Sequence, residues 1–165
     1  MNSKSNKKEF SRLISNNQAI IHKISSFYTD CMEDKEDLFQ EICLQLWRSY
    51  PSFNDQSKFS TWMYKVAINT AISHVRRCKK SLKFEDLKKD VSEVNDTESA
   101  QQSKLLYKAI TELDKVDRAV IILWLDGKKY EEISEILGLS KSNVSVKLVR
   151  IKEKLSGKLN PKNVK

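Results

Sequence analysis

At 165 residues the chain can form one ordinary domain or two small ones, and 39% hydrophobic residues allow a folded core. Only three Gly and two Pro interrupt a sequence rich in Leu, Ile, Lys and Glu, which argues against a turn-rich β protein and for an all-α one. The net charge of +8 is uneven: 11 basic and 8 acidic residues over 1–78, 5 and 6 over 79–101, and 14 and 8 over 102–165, so two basic ends flank a slightly acidic middle, a pattern that suits a polyanionic partner as well as plain solvation.

Phe10, Leu13, Ile14, Ile20, Ile21, Ile24, Phe27 and Tyr28 recur at helical spacing and predict two short helices. An acidic start at Asp34–Asp37 complements a helix N-terminus, and the next helix runs from about Glu36 to Tyr50, where Pro51 stops it. Its buried face is Leu38, Phe39, Ile42 and Leu46. Asp37, Glu41, Leu44 and Arg48 follow i, i+4, i+7, i+11 along the other side, with Gln40 beside them and Trp47 at the border. An acidic stripe broken by an apolar residue on a basic protein fits either a protein-docking surface or a solvated face.

Residues 51–57 read as a loop, followed by a helix from about Ser60 to Cys78. Met63, Tyr64, Ala67, Ile68, Ala71 and Val75 form its apolar face. Lys65, Val66, Asn69, Ser73 and Arg76 form the other, extended by Arg77. Cations beside a ring suit single-stranded nucleic acid, because ammonium and guanidinium groups meet phosphates while a base stacks on the ring. Periodicity alone leaves open whether Trp62 supplies that ring or turns into the core. His74, at the edge of the apolar face, reads as structural.

From Lys79 to about Gln101 the pattern breaks down into a polar linker that separates a domain at 1–78 from one at 102–165. Four helices follow, at about Gln102–Leu113, Lys115–Asp126, Tyr130–Leu137 and Lys141–Ser156. Asp114 and Ser140 stand as N-caps, Gly127 and Gly138 sit just past helix ends, and the tail from Gly157 is expected to fray. The last two helices with their Gly138-Leu139-Ser140 turn have the form of a helix-turn-helix. Val144, Leu148, Ile151 and Leu155 make its inward stripe. The outer face carries Asn143, Val146, Lys147, Arg150 and Lys154, residue types that suit base edges, a thymine methyl and phosphates, with Lys141 and Ser142 at the helix start. Lys129 stands where a Ser or Thr cap is expected, so the first helix of the motif either begins loosely or borrows another cap.

Cys31, Cys43 and Cys78 form no Cys-x-x-Cys pair, and with only His22 and His74 besides they do not space a zinc site. No Ser/His/Asp, phosphate-loop or metal-ligand pattern supports an enzyme, and no metal or cofactor is expected. Reduced thiols, no signal peptide and no long apolar run predict a cytoplasmic protein without membrane insertion.

Glu36-Asp-Leu-Phe-Gln-Glu41 with Leu46-Trp47-Arg48 resembles region 2.2 of bacterial sigma factors. Phe59-Ser-Thr-Trp-Met-Tyr-Lys-Val-Ala-Ile-Asn69, continuing to Arg76-Arg77, resembles regions 2.3 and 2.4. Tyr130-Glu-Glu-Ile-Ser with Leu139-Ser140 and Val144 resembles region 4. The resemblance covers roughly residues 10–78 and 102–156. It implies two small helical domains, a region 2 bundle and a region 4 helix-turn-helix, joined by a flexible linker. It implies that Asp37, Gln40, Glu41, Leu44 and Trp47 dock on core RNA polymerase. It further implies that Phe53, Asn54, Asp55, Lys58, Trp62, Lys65 and Asn69 read and hold the melted minus-ten strand, with Arg76 and Arg77 on phosphates. Lys141, Ser142, Asn143, Val146, Lys147, Arg150 and Lys154 would then enter the minus-35 major groove.

Two departures refine the resemblance. Primary sigma factors carry adjacent tryptophans one turn beyond the Trp62 position, where this chain has Lys65-Val66, and there is no room here for region 3. Both features resemble the extracytoplasmic-function group, in which melting is thought to rely on capture of an unpaired base. An anti-sigma partner is common in that group, and the sequence identifies none. The rival reading is a dimeric helix-turn-helix regulator with an N-terminal sensor domain, which would bind palindromic DNA without polymerase.

Overall fold

The computed structural model describes residues 3–81 and 97–160. Among them are α1 (Ser3–Tyr28), α2 (Met32–Ser49), α3 (Phe59–Ser81), α4 (Glu98–Thr111), α5 (Lys115–Leu125), α6 (Tyr130–Leu137) and α7 (Lys141–Leu159), with a single 3-10 turn at Tyr50–Ser52 and no strand. The chain divides into two compact units, Met1–Lys89 and Asp90–Lys165.

In the first unit α1, α2 and α3 each pack against the other two. Ile21 and Ile24 of α1, Leu38, Ile42 and Leu46 of α2, and Met63, Ala67, Ile68 and Ala71 of α3 are wholly buried where they meet. The two short N-terminal helices expected from the sequence are one helix. Asn17, a weak helix former mid-way along it, donates its side-chain amide to the Leu13 carbonyl at 2.8 Å, so it satisfies itself within the helix instead of ending it. Packing of the apolar face does the rest, as it does for most helices in proteins.

Helix α2 begins four residues before the expected start. Cys31, in extended conformation, is its N-cap, and Sγ accepts the Asp34 N–H at 3.5 Å, a weak bond reinforced by Glu33 and Asp34 in the first turn. Pro51 lies inside the 3-10 turn that follows, where its missing N–H costs nothing. Phe39, expected in the core, is only half-buried and lies with its ring 4.5 Å from that of His22. Val75 is likewise half-buried, because α3 outruns the bundle.

The expected linker is shorter at both ends than the sequence pattern suggests. Residues 79–81 belong to α3, and α4 starts at Glu98 because Thr97 caps it, Oγ1 accepting the Ala100 N–H at 3.4 Å. Residues 82–96 lie outside the described residues. The C-terminal helix, expected to fray from Gly157, continues to Leu159.

In the second unit α7 packs against α4, α5 and α6. Val144, Leu148, Ile151 and Leu155 are buried as one stripe against Ala119, Val120 and Leu123 of α5 and Ile133 and Ile136 of α6. Asp114 caps α5 through the Val116 N–H at 3.3 Å. Gly127 and Gly138 take φ of +78° and +67°, the left-handed conformation that ends a helix and costs a side-chain-bearing residue strain. Lysine has no acceptor to offer at the Lys129 cap position. Instead the Glu132 carboxylate reaches back to accept the Lys129 N–H at 2.9 Å, the reciprocal half of a capping box.

Ile42 has no exposed surface, whereas Leu44 on the same helix is 46% exposed. Ile42→Ala should therefore cost about 2–5 kcal/mol and Leu44→Ala within about 0.5 kcal/mol, read as shifts in the urea unfolding midpoint.

Candidate nucleic-acid interface

The turn into α3 is built on aromatic rings. Pro51 ends α2, and the chain must reverse within a few residues to start α3 at Phe59. Phe53 anchors that reversal. Its ring centroid lies 5.2 Å from that of Trp62, 5.6 Å from Phe59 and 6.5 Å from Tyr50. Trp62 is therefore neither core nor free: it is half-buried, holding Phe53, Phe59 and Tyr50 together with one side still open. Tyr50 also meets Phe10 of α1 at 5.0 Å, and Phe10 meets Trp47 edge-on at 5.0 Å. Desolvation pushes the Tyr50 hydroxyl above the usual phenol range, and the Glu9 carboxylate raises it further.

Beyond the rings the loop opens outward. Asn54, Asp55 and Lys58 are exposed. The Asn54 side-chain oxygen accepts the Gln56 N–H at 3.4 Å, and Asp55 sits at φ +57°, a left-handed conformation that Asp tolerates better than most residues. Lys65, Asn69 and Arg76 follow along the exposed side of α3. The loop presents amide, carboxylate and ammonium groups next to a half-covered tryptophan, and Lys65, Asn69 and Arg76 continue the exposed polar face along α3.

Glu41 is placed differently from its neighbours on the predicted acidic stripe. Its carboxylate faces α3: Oε2 lies 3.1 Å from His74 Nδ1, and Oε1 accepts from Arg77 Nη2. Cys78 Sγ lies 3.5 Å from the other His74 nitrogen. Burial, then the Asp34 carboxylate, pushes the Cys78 thiol up, and burial alone does the same for Cys43, so both favour the protonated thiol. The fully outward part of the stripe is Asp37, Gln40, Leu44 and Trp47, the last 42% exposed. Periodicity assigned Glu41 to the right side of α2, but its partners are 33 and 36 residues away and left no local signal.

In the second unit Ser140 caps α7 through the Asn143 N–H at 3.1 Å, which fixes the direction of the helix start. Ser142, Asn143, Val146 and Arg150 are exposed together, Val146 at 48%. The lysines predicted beside them sit at the edges. Lys147 Nζ is 2.9 Å from Asp117 of α5, and Lys154 is 4.0 Å from the same carboxylate. Lys141 pairs with Glu131 of α6 at 2.8 Å, and this hydrogen bond holds the Glu131 carboxyl below the usual range. Asp117 is the functional neighbour that sequence reading missed, because nothing in the α5 pattern points to α7. Trp124, Leu125 and Val149 are further exposed apolar groups that periodicity did not single out, with Lys152 Nζ 4.0 Å above the Trp124 ring.

Comparison with known proteins follows the same division. Residues 13–81 match sigma-70 region 2, and residues 103–155 match sigma-70 region 4. The chain is 26% identical over 170 residues to the ECF RNA polymerase sigma-E factor of Haemophilus influenzae, covering 94% of this chain and 89% of that protein. It is 27% identical over 175 residues to the factor of the same name from Escherichia coli K12, covering 96% and 90%. Its fold is similar to that of the sigma factor RpoE from Bartonella quintana, solved in complex with the anti-sigma factor NepR, at a TM-score of 0.77 and 19% identity over 93% of this chain and 98% of that one. It is also similar to CnrH, solved in complex with the cytosolic domain of CnrY, at a TM-score of 0.69 and 19% identity over 94% and 90%. With both halves of the chain accounted for by sigma regions there is no sensor half for a dimeric helix-turn-helix regulator, and the chain belongs to the sigma-70 family, in its extracytoplasmic-function group of alternative sigma factors that direct promoter recognition and transcription initiation.

Proposed function

We propose that the two units divide promoter reading between them. The first docks on core RNA polymerase and holds the melted minus-ten strand, and the second reads minus-35 duplex. The observation that carries this reading is the contrast between their exposed faces. The loop and α3 offer exposed polar groups around a half-open Trp62, which suits unpaired bases, while α7 offers a capped helix with Ser142, Asn143, Val146 and Arg150 in one row, which suits a major groove. Within the loop, Phe53 positions and Asn54, Asp55 and Lys58 contact the strand, with Lys65, Asn69 and Arg76 following it along α3. Arg77 reaches phosphate only by sharing itself with Glu41. Lys147 and Lys154 flank the groove from beside Asp117.

The docking surface is Asp37, Gln40, Leu44 and Trp47. Glu41 supports it by tying α2 to α3. The protein works in the cytoplasm as a binding factor and not as an enzyme. An anti-sigma protein that occludes the two basic faces would block it economically; the similar folds of RpoE and CnrH were solved in complex with the anti-sigma factor NepR and with the cytosolic domain of CnrY. Linking two modest DNA contacts through one chain raises the effective concentration of the second.

Leu44→Ala combined with Gln40→Ala should weaken assembly with core polymerase about tenfold or more while the urea midpoint moves little, as measured by fluorescence titration of labelled protein with core. Unchanged core affinity would remove α2 as the docking helix.

Arg150→Ala and Asn69→Ala should separate the two DNA steps. Removing the Arg150 guanidinium from the groove should cost duplex binding about 1–3 kcal/mol, read by electrophoretic mobility shift with the minus-35 half alone. Asn69→Ala should leave that step intact and slow permanganate-detected promoter opening. Equal effects of both variants on both steps would overturn the division of labour.

A further inference from the structure

Helix α1 does not begin where the bundle begins. Every described side chain from Lys4 to Glu9 is exposed, and the first residue to turn inward is Phe10. Some two turns of helix therefore project beyond the packed body, without any apolar contact of their own to hold them.

That projection is strongly basic on one side. Lys4, Lys7, Lys8 and Arg12 stand at i, i+3, i+4 and i+8, within an arc of about 140° at 100° per residue. The arc points away from Phe10, Ile21, Ile24 and Tyr28, which bind α1 to the bundle. All four cations are exposed, and among the described residues none has a salt-bridge or hydrogen-bond partner. The first turn of the helix holds no acidic residue. Lysines there oppose the positive end of the helix dipole, so their placement weakens the free helix and an anion beside them would relieve it.

The aromatic contacts fix where this projection lies. Phe10 touches both Trp47 and Tyr50, and Tyr50 touches Phe53 and Trp62. The basic helix end thus leaves the first unit at the same end as the loop that presents Asn54, Asp55 and Lys58.

We propose that Lys4, Lys7, Lys8 and Arg12 form a third nucleic-acid contact, binding the phosphate backbone of promoter DNA beside the melted segment and without regard to base sequence. The proposal rests on the reading of the loop only for the place where DNA passes. Over about 12 Å of helix at 1.5 Å per residue, four cations meet a duplex that carries one charge per about 1.7 Å of its axis, so several phosphates lie within reach at once. The apolar face of α1 is already consumed by α2 and α3, so no amphipathic surface remains for insertion into a lipid layer.

The test uses holoenzyme, assembled from core polymerase and the full chain, and a fluorescein-labelled fork-junction DNA of mixed sequence. Lys4→Gln, Lys7→Gln, Lys8→Gln and Arg12→Gln are combined, since Gln keeps helix propensity while removing charge. Each phosphate left without its cation should flatten the plot of log K against log salt by about 0.7–0.9, so the variant should bind with a slope shallower by about 2 or more. An unchanged slope would overturn the proposal. Weaker binding to core polymerase with an unchanged DNA slope would also overturn it, making an acidic polymerase surface the partner. So would a defect seen only in binding to vesicles containing phosphatidylserine. A parallel Asn69→Ala and Trp62→Ala variant tests the loop separately: should it leave melted-strand binding intact, the loop reading fails while the salt slope of the basic helix end still decides this one.

Discussion

The first unit depends on the ring contacts of Phe53. Between the end of α2 at Ser49 and the start of α3 at Phe59 the chain has only one 3-10 turn, closed by the Phe53 N–H on the Tyr50 carbonyl at 3.0 Å, and fixing each backbone residue costs about 1–2 kcal/mol. Ring pairs contribute about 0.5–1.5 kcal/mol each beyond burial. Three such contacts fix Phe53 itself, and past it the Asn54 side-chain oxygen accepts the Gln56 N–H at 3.4 Å within the exposed turn. The loop is thus pinned at its root and exposed at its tip. That is the arrangement the proposed capture of an unpaired base would need, a fixed approach with polar groups open to it.

The same rings set the exposure of Trp62. A tryptophan buried on all sides could not stack a base, and one wholly exposed would swing. Contact with Phe53, Phe59 and Tyr50 holds the ring while leaving it half-buried. About 18 Å further along α3, Glu41 joins α2 to α3 through His74 and Arg77. Arg77 is 63% exposed, so the ion pair contributes little stability after screening. Its effect is registry. A shift of α2 would change the partners of Arg77, and so the outer faces of α2 and α3 are mechanically joined through one carboxylate.

Much of this was legible in the sequence because it is local. Periodicity found the buried faces of α2, α3 and α7, and cap chemistry found Asp114, Ser140 and the glycines at 127 and 138. Local reading failed where a residue satisfies itself unexpectedly, as Asn17 does within α1, whereas the missing cap at Lys129 was legible and Glu132 supplies a borrowed one. It also failed wherever the deciding partner is distant in sequence. Glu41 and Lys147 both lie on the outward side of their helices by angle, and only the fold shows that a histidine, an arginine or an aspartate from another helix meets them.

The same distant partners limit the free charge that α7 has to offer a duplex. Lys141, Lys147 and Lys154 are each close to a carboxylate, and Asp117 serves two of them. A phosphate that recruits Lys147 must displace a half-buried aspartate, so the favourable release of counterions is offset by loss of an internal pair. Arg150 is left as the uncompensated cation of the exposed row that also holds Ser142, Asn143 and Val146. Of the three pairs only Lys147–Asp117 is shielded from solvent, so it is the one whose loss a phosphate contact would have to offset, while the exposed pairs of Lys141 and Lys154 are readily exchanged.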